Sequence, residues 1–188
     1  MINEEVAFGA KILPGKYEEI ERVVAKLYEE QRIHSLPINP FDIIKNRGYL
    51  LVPFSRFEKG TCPECVNENN DAFSFYYPQI KTYIIVYNDD KPLRRIRFTL
   101  MHEIGHIDLG HKGESELARK MADYYAAYAL APSPLIGEFA SEERADIVAT
   151  FEVSLDCADR CSKRYLNWQQ YSGRYLKDYE IEMISLFR

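Results

Sequence analysis

Residues 97–111 read Arg-Phe-Thr-Leu-Met-His-Glu-Ile-Gly-His-Ile-Asp-Leu-Gly-His, and this short run holds three of the chain's 4 histidines. His102 and His106 are separated by one helical turn. On a helix that rotates roughly 100° per residue, their Cβ atoms stand about 5–6 Å apart on one face, so both imidazoles can reach a single ion. Glu103 points to the flank of that face, where it can hold a water without ligating the ion itself. Leu100, Met101, Ile104 and Ile107 fill the opposite arc, which gives the helix an apolar back for packing and a polar front for chemistry. The spacing is H-E-x-x-H, the pattern of metal-assisted peptide hydrolysis. Zinc suits it: catalytic zinc takes three protein ligands and lowers the pKa of a water in its open position toward about 7. Glu103 is then the general base that removes the proton of the attacking water and returns it to the leaving amine. The bland alternative is a pair of solvated histidines on a surface helix.

His111 is weighed separately. A third histidine completes such a site in the spacing H-E-x-x-H-x-x-G-x-x-H, but here the glycine is Gly110 and the histidine follows at once. Gly110 therefore reads as a helix stop and His111 as a turn residue. The 4 cysteines form two close pairs, Cys62/Cys65 and Cys157/Cys161. Four thiolates can hold a structural zinc. These pairs are far apart in sequence, however, and the second has the spacing of one helix face, so reduced, unligated thiols are expected.

The elements that must position these groups follow from periodicity. Lys16 to Arg32 carries Ile20, Val23, Val24 and Leu27 at helical spacing. Asn39-Pro40 opens a short second helix that Gly48 stops. Tyr49 to Val52 reads as a strand, and Arg56 to Asp71 as a loop. Ala72 to Tyr77 and Thr82 to Tyr87 are aromatic and β-branched runs joined by Pro78-Gln79-Ile80-Lys81, the outline of an antiparallel hairpin. From Leu93 the pattern is helical, breaks at Gly110 to Gly113, and resumes from Glu114 to Ala131, where Pro132 and Pro134 end it. Glu142 to Phe151, Leu155 to Leu166 and a later piece read as further helices.

The chain has 188 residues, 46% of them hydrophobic, enough for one domain with a sizeable core. Its formal net charge of -5 disfavours sequence-independent binding of nucleic acid, which needs a basic face. The acidic N-terminal stretch lacks the apolar core of a secretory signal. Tyr83 to Tyr87 and Tyr124 to Ala131 are the longest apolar runs, too short to span a bilayer. A soluble, cytoplasmic protein with no membrane partner is expected.

The stretch Arg95 to His111, then Ser115-Glu-Leu-Ala, then Ala122-Asp-Tyr-Tyr-Ala-Ala-Tyr-Ala-Leu-Ala-Pro132 resembles the ImmA/IrrE family of metallopeptidases. A weaker likeness runs through Asn39-Pro-Phe-Asp-Ile-Ile and Ala72-Phe-Ser-Phe-Tyr, so it spans most of residues 39–165. The resemblance implies an α+β, zincin-like fold: a small antiparallel sheet packed against the H-E-x-x-H helix and a second ligand-bearing helix, with a helical C-terminal part. From its length the chain is read as one domain over residues 1–188, with a zincin-like core at 1–137 and a helical C-terminal subdomain at 138–188. The resemblance also implies one catalytic zinc (Zn2+) and limited proteolysis of a protein substrate, a DNA-binding helix-turn-helix repressor of a mobile genetic element or a stress response.

One position departs from the family pattern. Similar proteins supply a third zinc ligand from a glutamate three residues before the Ala-Asp pair, and that position is Arg119. A guanidinium cannot ligate a cation. By helical angle Glu116, Arg119, Asp123, Ala127 and Leu130 share a face, with the small Ala126 beside them. Asp123 is the first candidate for the third ligand and Glu116 the second. Alternatively Asp123 only orients a ligating imidazole and pairs with Arg119, and the protein is a weakly active or inactive regulatory binding module. An edge strand at Thr82 to Tyr87 would let an extended peptide pair across the metal. Tyr124 and Tyr125 read more simply as packing residues. The run Ala145 to Arg160 outlines a helix-turn-helix with Arg160, Lys163 and Arg164 on its second helix, but the acidic chain favours packing or partner contact over DNA.

Overall fold

The computed structural model describes residues 11–58, 71–113, 115–171 and 175–188. Helix α1 (Pro14–Gln31) begins with proline in its first turn and ends at Arg32, whose φ of 49° closes the turn. It buries Ile20, Val24, Leu27 and Tyr28, the stripe its periodicity calls for. In α2 (Pro40–Asn46) the Asn39 side chain accepts the Phe41 N–H and supplies the first turn with a cap. A left-handed Gly48, φ 67°, then turns the chain into strand β1 (Leu50–Pro53).

The hairpin forms where its aromatic and β-branched runs place it: β2 (Ala72–Tyr77) pairs antiparallel with β3 (Thr82–Tyr87), with Ala72 opposite Tyr87 and Tyr77 opposite Thr82. The sheet is nevertheless mixed. β1 lies parallel to β3, Leu50 opposite Ile84, so the order is β1-β3-β2 and β3 is central. The long stretch between β1 and β2 releases β1 from a hairpin, and it pairs on the far side of the most buried strand, which carries Ile85 and Val86. The expectation that Thr82 to Tyr87 forms an edge is therefore corrected: the edge strand nearest the H-E-x-x-H helix is β2.

Helix α3 (Leu93–Asp108) rests on β2 and β3 with one side and makes the most extensive helix–helix contact of the fold with α4 (Glu116–Leu130). Leu100, Met101 and Ile104 are fully buried, as are Tyr125 and Ala126 opposite. Pro132 and Pro134 end α4 as expected, but Pro134 also falls in the first turn of a further helix, α5 (Ser133–Phe139). Proline is well tolerated there because the first amides of a helix have no partner to lose. The chain continues as α6 (Arg144–Phe151), α7 (Leu155–Tyr171) and α8 (Asp178–Ser185). α1 packs on both α4 and α8, which brings the first and last described helices together over the core.

Two buried polar ties hold this arrangement. The Arg97 guanidinium donates to the carbonyls of Ile38 and Phe151 and to Glu152, in both its backbone and its carboxylate, linking α3 to the start of α2 and the end of α6. Arg164, a candidate for DNA contact, instead points inward and donates to the carbonyls of Ala127 and Ala131. Among the described residues no helix is long and apolar enough to cross a membrane. Cys62 and Cys65 lie outside the described residues.

Candidate metal centre

Two helices and one strand edge surround the histidines. α3 and α4 approach closely because residue 105 is glycine: a Cβ there would stand 2.9 Å from Cδ1 of Tyr125, inside normal contact. The Tyr125 hydroxyl donates to Asp108 at 2.6 Å, and Asp108 accepts from Arg47 at 2.5 Å, so α2, α3 and α4 are locked at one end. Tyr124 donates to Glu21 of α1. Both tyrosines thus serve packing and hold helices together.

The imidazoles of His102 and His106 face each other with their Nε2 atoms 3.0 Å apart. Two nitrogens on one tetrahedral zinc, each at about 2.0–2.1 Å, lie about 3.3 Å apart. The pair is thus near ligand spacing. Each ring is held at its other nitrogen. Asp123 Oδ1 meets His102 Nδ1 at 2.9 Å, and His111 Nδ1 meets His106 Nδ1 at 3.0 Å. Asp123, expected as third ligand, therefore lies on the side of His102 away from His106. Glu116 is exposed and pairs with Lys120. Among the described residues no three His, Cys, Asp or Glu side chains gather closely enough to complete a metal shell.

His111 reaches His106 through the way α3 ends. Gly110, φ 66°, reverses the chain, its N–H donates to the Ile107 carbonyl and the His111 N–H donates to the His106 carbonyl, 3.1 and 3.0 Å respectively. This is a Schellman turn, in which a left-handed glycine lets the last amides satisfy helix carbonyls. It folds His111 back over the preceding turn. Burial depresses the His111 pKa, and repulsion from His102 adds to this, so the ring is neutral at pH 7. Its Nε2 is buried with no hydrogen-bond partner among the described residues.

Glu103 is only 7% exposed, and its Oε2 accepts the Ser74 hydroxyl at 2.6 Å. Ser74 belongs to β2, so strand and helix meet at the carboxylate. A cleft of about 590 Å³ runs along this junction, lined by Phe73, Ser74, Phe75, Glu103, His106 and His111 among others. A smaller one, about 250 Å³, exposes His102, Glu103, Arg119 and Asp123 on the other side. The sequence reading missed two of these residues. Ser74 leaves a faint trace, a single hydroxyl in an aromatic strand. His111 lies in the turn that Gly110 predicts, but its contact with His106 depends on the turn's geometry.

The family model of the IrrE N-terminal-like domain, peptidase family M78, matches residues 63–162, a span that includes β2, β3, α3 to α6 and the beginning of α7. No curated protein matches the chain.

Proposed function

The chain belongs to the IrrE-type M78 peptidase family, and from that premise we propose that it is a zinc-dependent endopeptidase with His102 and His106 as metal ligands and Glu103 as general base and acid. The observation that carries the reading is the pair of Nε2 atoms 3.0 Å apart, each ring gripped at its far nitrogen by Asp123 or His111. A ligating histidine characteristically donates its other N–H to a carboxylate or another acceptor, which fixes the tautomer and the ring plane. We therefore assign Asp123 to orienting His102 rather than to the third ligand position.

When bound, a divalent ion supplies Lewis acidity, polarising the scissile carbonyl and lowering the pKa of water. The chain's own groups supply the rest. Glu103, held at Oε2 by Ser74, takes the proton of the water that attacks the carbonyl carbon. As the C–N bond breaks, the same carboxyl passes that proton to the leaving nitrogen. Among the described residues β2 pairs on one side only, so its outer edge can bind an extended peptide by main-chain hydrogen bonds and lay it along the cleft beside Glu103. Phe75, Tyr76 and Tyr77, 42%, 49% and 39% exposed, offer apolar surface for its side chains.

The substrate is then a protein, and the family resemblance extends this to a helix-turn-helix repressor of a mobile element or stress response in the cytoplasm. The whole chain, 1–188, is read as one unit in which the helices after residue 137 support the core.

A second reading has its own observation. Arg119 stands where relatives carry a ligand, beside His102 and Glu103 in the smaller cleft, which favours a binding module that grips a partner and cuts nothing. Metal analysis separates the two. About one zinc per chain, lost in His102→Ala, together with cleavage that stops in Glu103→Gln while zinc is retained, supports the enzyme. A chain purified from zinc-replete cells without stoichiometric metal overturns it.

A further inference from the structure

Helix α7 carries a second chemically competent pair away from the histidines. Cys157 and Cys161 stand one turn apart, 5% and 0% exposed, with sulfurs 3.9 Å apart. Core cysteines usually sit among apolar groups, but here Nη2 of Arg164 lies 3.5 Å from Cys161 Sγ. The same guanidinium donates to the carbonyls of Ala127 and Ala131 and to the Ser133 hydroxyl, and lies over the rings of Tyr124 and Tyr128. Among the described residues it forms no ion pair with a carboxylate. A half-buried guanidinium favours a neighbouring counter-charge, and the Cys161 sulfur is the contacting group able to supply one. The Cys157 S–H bond and then Arg164 draw the Cys161 thiol down, against the opposing effect of burial.

The sulfur lies close beneath a cleft, which it does not itself line. Ala127 and Arg164, which both touch it, line a cleft of about 530 Å³ together with Arg160 and Lys120. Cys161 thus lies one layer beneath the cleft wall, and in its protonated form the thiol donates to the Ala127 carbonyl at 3.6 Å, one turn along α4 from Asp123.

We propose that Cys157 and Cys161 form a peroxide-oxidisable dithiol, a covalent modification site at the joint between α4 and α7. The Cys161 thiolate attacks one oxygen of hydrogen peroxide, an S–O bond forms, the O–O bond breaks, and hydroxide leaves and is protonated to water. The Cys157 sulfur then displaces the second hydroxide, which takes up the Cys157 proton as a second water, and the S–S bond closes. Two thiols give up two electrons in all and one peroxide is reduced. Disulfide Cβ atoms lie about 3.8 Å apart, whereas residues one helical turn apart hold theirs about 5–6 Å apart. Closure therefore distorts this turn of α7, withdraws Sγ from Ala127 and shifts Arg164 off its carbonyls, loosening α4 around residues 127–131. The inference stands independently of peptide hydrolysis.

Its test uses the full chain, hydrogen peroxide at a small molar excess, alkylation by iodoacetamide and tryptic mapping. Arg160 lies between the two cysteines, so peptides 145–160 and 161–163 remain joined only through a disulfide. That linked pair is expected to form at least about tenfold faster in the folded protein than in the same chain unfolded in guanidinium chloride, and backbone amide exchange in 127–131 is expected to rise on oxidation. Arg164→Gln slows the reaction about tenfold, while Arg164→Lys, which keeps a cation, stays near wild type. A folded-state rate no greater than the unfolded one, a disulfide to Cys62 or Cys65 in place of this pair, or unchanged amide exchange in the linked product overturns the proposal.

Discussion

The His111 imidazole meets the His106 imidazole Nδ1 to Nδ1 at 3.0 Å, while its backbone N–H closes the helix on the His106 carbonyl at 3.0 Å. One nitrogen of the pair must donate and the other accept. If His106 offers its Nε2 lone pair to a metal, its Nδ1 carries the proton and His111 accepts. The His111 proton is then on Nε2, a buried atom without a partner among the described residues. An unsatisfied buried donor costs about 1–3 kcal/mol, which argues for a role other than stability.

His111→Ala is accordingly expected to weaken zinc binding about 10–100-fold, measured by competition with a chromophoric chelator. His111→Asn, whose side-chain carbonyl can accept the same proton, recovers most of that loss. His111→Leu leaves the thermal midpoint of the metal-free protein unchanged or higher. A metal-free midpoint that falls in step with affinity in all three variants would reduce His111 to a packing residue.

Gly105 is where the metal helix meets the Tyr125 ring. An added methyl would stand 2.9 to 3.1 Å from three atoms of that buried side chain. Alanine favours a helix by about 1 kcal/mol over glycine, yet overpacking costs about 1–3 kcal/mol, and Tyr125 is tethered through Asp108. Gly105→Ala is expected to lower unfolding free energy by up to about 2 kcal/mol in urea melts, and to lower metal affinity as α4 moves Asp123 away from His102. A stabilised variant would show that the two helices part without strain.

Ser74 and Phe75 separate chemistry from binding. Ser74→Ala removes the bond to Glu103 Oε2; losing about 1.4 kcal/mol of positioning lowers kcat about tenfold with little change in KM. Phe75→Ala, on the edge strand along the same cleft but making no bond to the carboxylate among the described contacts, raises KM instead. Steady-state kinetics on one peptide substrate distinguish them, and a common effect on KM alone would remove Ser74 from catalysis.

Glu18 on α1 accepts from Lys177 at 2.8 Å and from Arg22 at 2.7 Å, and the Lys177 bond, followed by the Arg22 bond, lowers its pKa below 4.5. A carboxyl depressed in the folded state contributes stability above its unfolded pKa and loses it as pH falls through the folded value. The groups are largely solvated, so the contribution is a few tenths of a kcal/mol. Glu18→Gln is expected to be slightly less stable than wild type at pH 7 and equal to it below pH 3 in paired denaturant melts. A constant difference across that range would contradict the ion-pair origin.

The sequence by itself determined the local features: the hairpin strands at residues 72–77 and 82–87, the α3 face that sets His102 and His106 together, its apolar back, and the stop at Gly110. Each depends on neighbours within a few positions, where periodicity and backbone preference act. Tertiary structure decided the rest. β1 pairs parallel with β3 and leaves β2 at the edge, because strand order depends on which surfaces remain to be buried once the chain collapses. Asp123 and Arg119 share a helix face in any register, yet only the packing of α4 on α3, permitted by Gly105, brings the Asp123 carboxylate to Nδ1 of His102. Ser74 lies 29 residues before Glu103, and no spacing rule connects a strand to a helix at that distance. Their hydrogen bond exists because the sheet and the helix bury each other's apolar faces, and the polar groups at that seam must satisfy one another.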